Sequence, residues 1–310
     1  MTRALDVLAL RALGLGDFLT AVPALRALRD AGARVTVAAP AALAPLACLA
    51  GCDVLAAAPL EPLSTAARYA RLLVNLHGRG PQSHAVALAA APQRLIAFQH
   101  HAIPQTAGMP SWHADEHEVD RWCRLLHESG IPADRTRVDL PPPPLPTDLE
   151  PARGATIIHA GAASAARRWP AERFAAVAVA ETDAGRSVVL TGSAAERRVA
   201  LAVAERAGVD PRRVLAGRTD LAALAAVVAH AGRVVCGDTG VAHLATAFGV
   251  PSVVLFGPTS PALWGPPARR DRHRVLWHGT TGDPHAARPD PGLLAIDAPR
   301  VIAALAELPA

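Results

Sequence analysis

The sequence predicts an α/β protein of two domains, each a parallel sheet covered by helices. Three observations predict it. Short apolar runs alternate with amphipathic stretches along the chain, the same rhythm restarts after Pro141, and a proline run separates the two series. In the first series Ala4–Leu10, Arg34–Ala39, Asp53–Ala57, Leu72–Leu76 and Arg94–Phe98 read as strands. They lack polar alternation, as strands buried on both faces do. Between the first two lies Asp17–Ala31, where Phe18, Val22, Leu25 and Leu28 recur at about helical spacing.

In the second series strands are expected at Ala155–His159, Ser187–Thr191, Arg213–Leu215, Arg233–Cys236, Ser252–Phe256 and His273–Trp277. Helices are expected at Pro170–Thr182, Ala194–Ala207, Asp220–Ala231 and Val241–Phe248. The run Pro141-Pro142-Pro143-Pro144-Leu145-Pro146 can neither sit inside a sheet nor continue a helix, so it reads as a stiff linker. The expected domains are residues 1–145 and 146–310, both Rossmann-like and facing each other across a cleft. Ligands of such sheets bind beyond the carboxyl ends of the strands, so the informative residues belong in those loops.

Composition narrows the partners. The 310 residues are 51% apolar and 4% aromatic, so the cores must be built mainly of Ala, Val and Leu. Every one of the 31 basic residues is arginine, which together with the alanine content reads as coding bias. A net charge of +4 with no dense basic run among aromatics suits anionic ligands and argues against nucleic acid. Cys48, Cys52, Cys123 and Cys236 form no paired zinc spacing and read as free cytosolic thiols. The first dozen residues carry Arg3, Asp6 and Arg11 without a signal pattern. The uncharged stretch Val35 to Cys52 is broken by Pro40, Pro45 and Gly51, so no membrane span is expected.

Four segments could carry chemistry. Gly14 and Gly16 flank Leu15 after the first strand, where they permit a tight turn and close approach of a ligand. Asp17 follows at a helix start, either as a cap or as a general base. Gly237-Asp238-Thr239-Gly240-Val241-Ala242-His243 joins a strand to a helix, where converging N–H groups and the positive helix end suit a diphosphate. The bland reading is a turn with an Asx hydrogen bond. Arg167 and Arg168, before Trp169 and Pro170, offer two guanidinium forks to phosphate oxygens, or simply a solvated surface. His113-Ala114-Asp115-Glu116-His117 matches an H-x-x-E-H zinc pattern, but no third ligand is evident. A polar helix start explains it better, and no metal site is expected.

Taken together, these segments resemble the ADP-heptose:lipopolysaccharide heptosyltransferase family. Gly14–Leu28 resembles its opening, L-G-D followed by P-A-L-R-A-L. Asn75-Leu76-His77-Gly78-Arg79 is similar to its L-H-G-R segment. Ala160–Phe174 resembles its P-G-A stretch running on to K-x-W-P-x-x-R-F. Gly237–Pro266 is similar, almost residue for residue, to its D-T-G-x-x-H-L-A stretch running on to F-G-P-T-x-P-x-x-W-G-P. The resemblance implies a GT-B fold and an inverting, metal-independent transfer from a nucleoside-diphosphate sugar to a glycan or glycolipid hydroxyl, with no other cofactor. It implies that the first domain binds acceptor and the second donor. Asp17 would be the general base, with Gly14, Gly16 and His77 on the acceptor side. Arg167, Glu196, Asp238, Thr239, Gly240 and His243 would line the donor site. Arg167 stands where the family has lysine, and His159-Ala160-Gly161 where it often has proline before the glycine. No Asp-x-Asp metal pair occurs, which leaves Arg167 and the helix end to offset the leaving diphosphate. A cytoplasmic protein, with room for peripheral contact at the inner face of the membrane, is the implied setting. The competing functions are a nucleotide-sugar epimerase of the same architecture, which would need a second acid/base pair, and a non-catalytic nucleotide-sugar binder, which would not need Asp17.

Overall fold

The computed structural model describes residues 6–267 and 271–309. They divide into two compact units, one ending at Val138 and the other starting at Asp139. The proline run belongs to the second unit. The Leu140 N–H donates to Ala247 O at 2.8 Å, and the His230 ring meets the Pro143 carbonyl at 2.9 Å.

The first unit holds strands β1 (Val7–Leu10), β2 (Val35–Ala39), β3 (Asp53–Ala56), β4 (Leu72–Asn75) and β5 (Leu95–Ile96). Its helices are α1 (Leu15–Asp30), α2 (Ala44–Leu49), α3 (Gln82–Ala89) and α4 (Glu118–Glu128). All strand pairs are parallel, in the order β3-β2-β1-β4-β5. β1 and β2 are buried throughout, as the apolar runs require. Of the expected first strand, Ala4 and Leu5 lie outside the described residues.

The second unit holds β6 (Thr156–His159), β7 (Val188–Thr191), β8 (Arg233–Gly237), β9 (Ser252–Leu255) and β10 (His273–Leu276). Its helices are α5 (Ala171–Asp183), α6 (Arg197–Ala207), α7 (Leu221–Ala229), α8 (Gly240–Phe248), α9 (Pro261–Trp264), α10 (Pro291–Leu294) and α11 (Ala298–Ala306). The order is β10-β9-β8-β6-β7, again all parallel. Ile158, Leu190, Val235 and Val253 from the sheet pack with Phe174, Val203 and Val301 from the helices.

Two expectations are corrected. Arg213–Leu215 is not a strand. Pro211 starts a 3₁₀ turn that runs to Arg213, and only a single bridge, Val214 to Leu190, touches the edge strand β7. The helix after the H-x-x-E-H segment begins at Glu118, so His113 and His117 share no helix face. His117 instead caps α4, its Nδ1 accepting from the Val119 N–H at 3.2 Å.

The strand orders decide where ligands can enter. In the first sheet the chain moves from β1 outward through β2 and β3, then returns to the other side of β1 for β4. Connections on either side of the β1/β4 pair leave in opposite directions, which opens a crevice at their carboxyl ends. In the second sheet the same reversal lies between β6 and β8. The loops that follow those four strands are therefore the places to look.

Candidate active site

The crevice of the first unit is organised by Arg11, the residue after β1. Its side chain is 1% exposed, and a buried guanidinium needs acceptors for its donors. Nε donates to Asp17 O at 2.8 Å, Nη1 to Leu76 O at 2.5 Å, and Nη2 to Thr20 Oγ1 at 3.2 Å. Nη2 also reaches two carboxylates: Glu118 Oε1 of α4 at 2.9 Å and Asp17 Oδ1 at 3.5 Å. The guanidinium lies 4.7 Å from the centroid of the Trp122 ring. Arg11 thus ties the loops after β1 and β4 to α1 and α4.

Asp17 is not the cap of α1. The N-cap is Gly14, without a side-chain cap bond, and Asp17 is the third helical residue. Its side chain keeps 31% of its exposure. Burial pushes its carboxyl above the ordinary carboxylate range. Arg11 and the Gly14 and Asp17 N–H groups pull the other way, while Glu118 adds to the rise. Burial therefore outweighs the helix end, which alone would hold a first-turn carboxylate down. Gly14 has φ −73 and ψ −179, extended backbone that any residue adopts. A Cβ there would stand 3.5 Å from Asp17 Oδ2, so a larger side chain would crowd this carboxylate. Gly16 is the second residue of α1 and needs no special conformation.

His77 lies just past β4. Its N–H donates to Asn75 Oδ1 at 3.0 Å, and its own Nδ1 is buried without a partner. Burial, then the charge of Arg11, lowers its pKa to about 4, so its ring is neutral at physiological pH. The first unit therefore gathers Gly14, Gly16, Asp17 and His77 at one crevice. Arg11 and Glu118 were missed by reading the sequence. An arginine ending an apolar strand, just before a glycine loop, was the available signal for Arg11. Glu118 stands 107 residues away and carried none.

The crevice of the second unit is built differently. Arg167 ends a 3₁₀ turn, Ala165–Arg167, in the loop after β6. Its Nη1 donates to Asp238 O at 3.3 Å and lies 3.9 Å from Asp238 Oδ2, while Nε is buried without a partner. Asp238 is buried beyond β8, its N–H bonded to Leu255 O at 3.1 Å. Burial raises its carboxyl, against the pull of Arg167 and a hydrogen bond from Thr259. Gly237 allows the close approach: a Cβ there would stand 3.3 Å from Arg167 O. Arg168 points elsewhere, with Nε on Ala162 O at 3.1 Å. Trp169 fixes the loop, its indole N–H donating to Ile296 O at 2.9 Å and its ring edge-on to Phe174.

Thr239 is the N-cap of α8 in extended conformation, and its side chain makes no cap bond. Gly240 opens the helix, so its N-terminal N–H groups and positive end follow directly on Asp238, the residue Arg167 contacts. His243, one turn further, meets the Trp264 ring edge-on at 6.1 Å. Glu196 lies at the other side, after β7. It closes a capping box with Ser193, accepting the Ser193 N–H at 2.7 Å. A Cβ at Gly161 would collide with the Glu196 carboxylate, so that carboxylate stands over the end of β6. His159 beneath it is buried with its pKa lowered by burial, and Glu196 acts in the opposite sense. Arg167, Asp238, Thr239 and Gly240 are thus brought together, with Glu196 on the adjacent strand end.

Residues 109–289 match the model of glycosyltransferase family 9 (heptosyltransferase). Lipopolysaccharide heptosyltransferase 2 of Escherichia coli K12 is 29% identical over 174 residues, 50% of this chain and 49% of that protein. The chain thus spans about half the length of this curated relative. A glycosyl transferase family 9 structure from Veillonella parvula DSM 2008 superposes with a TM-score of 0.80 at 21% identity, covering 99% of this chain and 98% of that one. An E. coli heptosyltransferase solved with ADP gives a TM-score of 0.73 at 20% identity, covering 97% and 99%. At such identities the structural likeness establishes the fold, GT-B, and no more.

Proposed function

Because the chain belongs to glycosyltransferase family 9, the heptosyltransferases, we propose that it moves a heptose-like sugar from a nucleoside diphosphate to a hydroxyl of a glycan or glycolipid, with inversion. The observation that carries this reading is Asp17. It is a carboxylate partly open at the β1/β4 crevice, held by backbone and Arg11, with burial raising its proton affinity. Such a group suits a general base better than an ordinary surface aspartate, because a higher pKa strengthens proton abstraction. In the reaction, Asp17 takes the proton of the acceptor hydroxyl as that oxygen attacks the anomeric carbon. His77, just past β4, is neutral and leaves Arg11 as the cation beside this carboxylate.

The diphosphate leaves from the second unit. The N–H groups at the start of α8 and the guanidinium of Arg167 meet its developing charge, so no metal and no further cofactor is required. Asp238 holds Arg167 and the loop, His243 lines the same helix, and Glu196 meets the donor ribose. An adenosine diphosphate donor is favoured because a fold neighbour was solved with ADP. A glycolipid acceptor implies peripheral contact with the inner face of a membrane. Among the described residues no helix is long and apolar enough to cross one.

The test is release of ADP from ADP-heptose with and without a lipid-linked glycan acceptor. Release that requires the acceptor supports transfer; binding without release would leave a nucleotide-sugar binder, and an isomerised donor an epimerase. Excess chelator should leave turnover intact, and a metal-reversible loss would overturn the metal-independent part.

A further inference from the structure

We propose that Glu118 and Arg11 are positioning residues for Asp17, with Glu118 drawing the Arg11 guanidinium into a close pair so that Arg11 anchors the α1 start without locking the Asp17 carboxylate in an ion pair. This rests on the reading of Asp17 as a base.

Arg11 lies at unequal distances from two carboxylates. One nitrogen, Arg11 Nη2, serves both carboxylates, at 2.9 Å for Glu118 and 3.5 Å for Asp17. The first is a charge-assisted hydrogen bond of ordinary length; the second is at the limit of one. Arg11 nevertheless fixes Asp17 strongly through the backbone, by the 2.8 Å bond from Nε to Asp17 O. It therefore holds the residue while leaving the carboxylate loosely engaged.

Glu118 is built to stay. Its Oε1 also accepts the Trp122 indole N–H at 3.0 Å, and its Oε2 pairs with Arg121. Arg121 is in turn pinned to the carbonyls of His113, Ala114 and Glu116 and lies 4.2 Å from the centroid of the Trp112 ring. The charged groups around Asp17 are thus Arg11 after β1 and Glu118 with Arg121 on α4; His77 after β4 is neutral. Two guanidinium groups face two carboxylates. Neutralising Glu118 leaves Asp17 as the one anion of the four, and Arg11 would turn to it. Glu118 already acts to raise the Asp17 carboxyl and Arg11 to lower it, as this arrangement requires. Proton abstraction needs a carboxylate whose lone pairs are open, so a tight pair with Arg11 would blunt the base.

The experiment is a carbon-13 titration of aspartate carboxyls in the full chain, with Asp17→Asn assigning the signal. It needs no substrate, so its failure is separable from a failure of the transferase reading. In the unmodified protein the Asp17 midpoint should lie above that of an exposed aspartate. Glu118→Gln should move it to lower pH, and turnover at neutral pH should fall by less than Asp17→Asn costs. Glu118→Asp keeps the charge one methylene further away and should give an intermediate midpoint. Should the glutamine variant not fold, the aspartate variant and the unmodified protein decide the matter. A midpoint below that of exposed aspartates in the unmodified protein would overturn the proposal. So would one that stays put or rises in either folded variant.

Discussion

The two units carry nearly the same sheet, yet their crevices are furnished in opposite ways. The first is a network of side-chain charges: Arg11, Asp17, Glu118 and Arg121, all but Asp17 deeply buried. The second relies on backbone: a helix start at Thr239-Gly240, glycines that admit close approach, and one arginine with a buried, unpartnered Nε. The difference follows from the ligand each would hold. A proton is handled by a single group whose affinity must be tuned, which takes neighbouring charges. A diphosphate is met by many donors at once, and fixed N–H dipoles meet it without a desolvated counter-charge.

The largest effect is expected of Asp17→Asn. Turnover should fall at least about a hundredfold, the lower range for general-base help, while nucleotide binding by the second unit persists. The fold should survive, because the α1 cap is Gly14 and an amide still accepts from Arg11. Steady-state kinetics beside ADP titration calorimetry check this; near-normal turnover would make Asp17 a structural residue only.

A smaller effect should mark the second unit. Arg167→Ala should weaken ADP binding about tenfold, the loss of roughly one charged hydrogen bond. Arg168→Ala should change it little, since its Nε is occupied by Ala162 O. Equal losses in the two variants would remove the distinction drawn between neighbouring arginines.

Acid should also separate the units. Asp17 must be ionised to act, so turnover should fall as pH drops through its raised pKa, at a higher pH than an ordinary aspartate would set. ADP binding should not follow that limb. A pH series of turnover and of ADP affinity tests this, and parallel losses would contradict it.

Stability should depend on pH as well. His77 titrates at about 4 in the fold and near 6.5 in the unfolded chain, so the unfolded state binds the extra proton between those values. Its neutral form therefore contributes stability above pH 6.5 that is lost progressively towards pH 4. His77→Gln should lose less stability over that window than the unmodified protein. Urea midpoints at pH 6.5 and pH 4.5 would show it, and an identical drop in both would sink the assignment.

Much of this was legible from local pattern. The strands bounding the two crevices and helices α1, α5, α6, α7 and α8 follow from apolar runs and spacing, because burial on both faces of a parallel sheet demands those runs, whereas α3 and α4 do not. The loops carrying Asp17, Arg167 and Thr239 were legible for the same reason: glycines, a helix start and a strand end are local features. Strand order was not. That β1 adjoins β4 and β6 adjoins β8 is a long-range choice, and it makes these loops crevice walls. Nor could sequence tell whether the helix end or burial governs Asp17. The helix end argued for a lowered pKa; the tertiary structure brings Arg11, Glu118 and a buried surround to it and reverses the sign. A residue's type and local geometry are written in its neighbours along the chain, whereas its charge state is set by groups that only folding brings within a few ångströms.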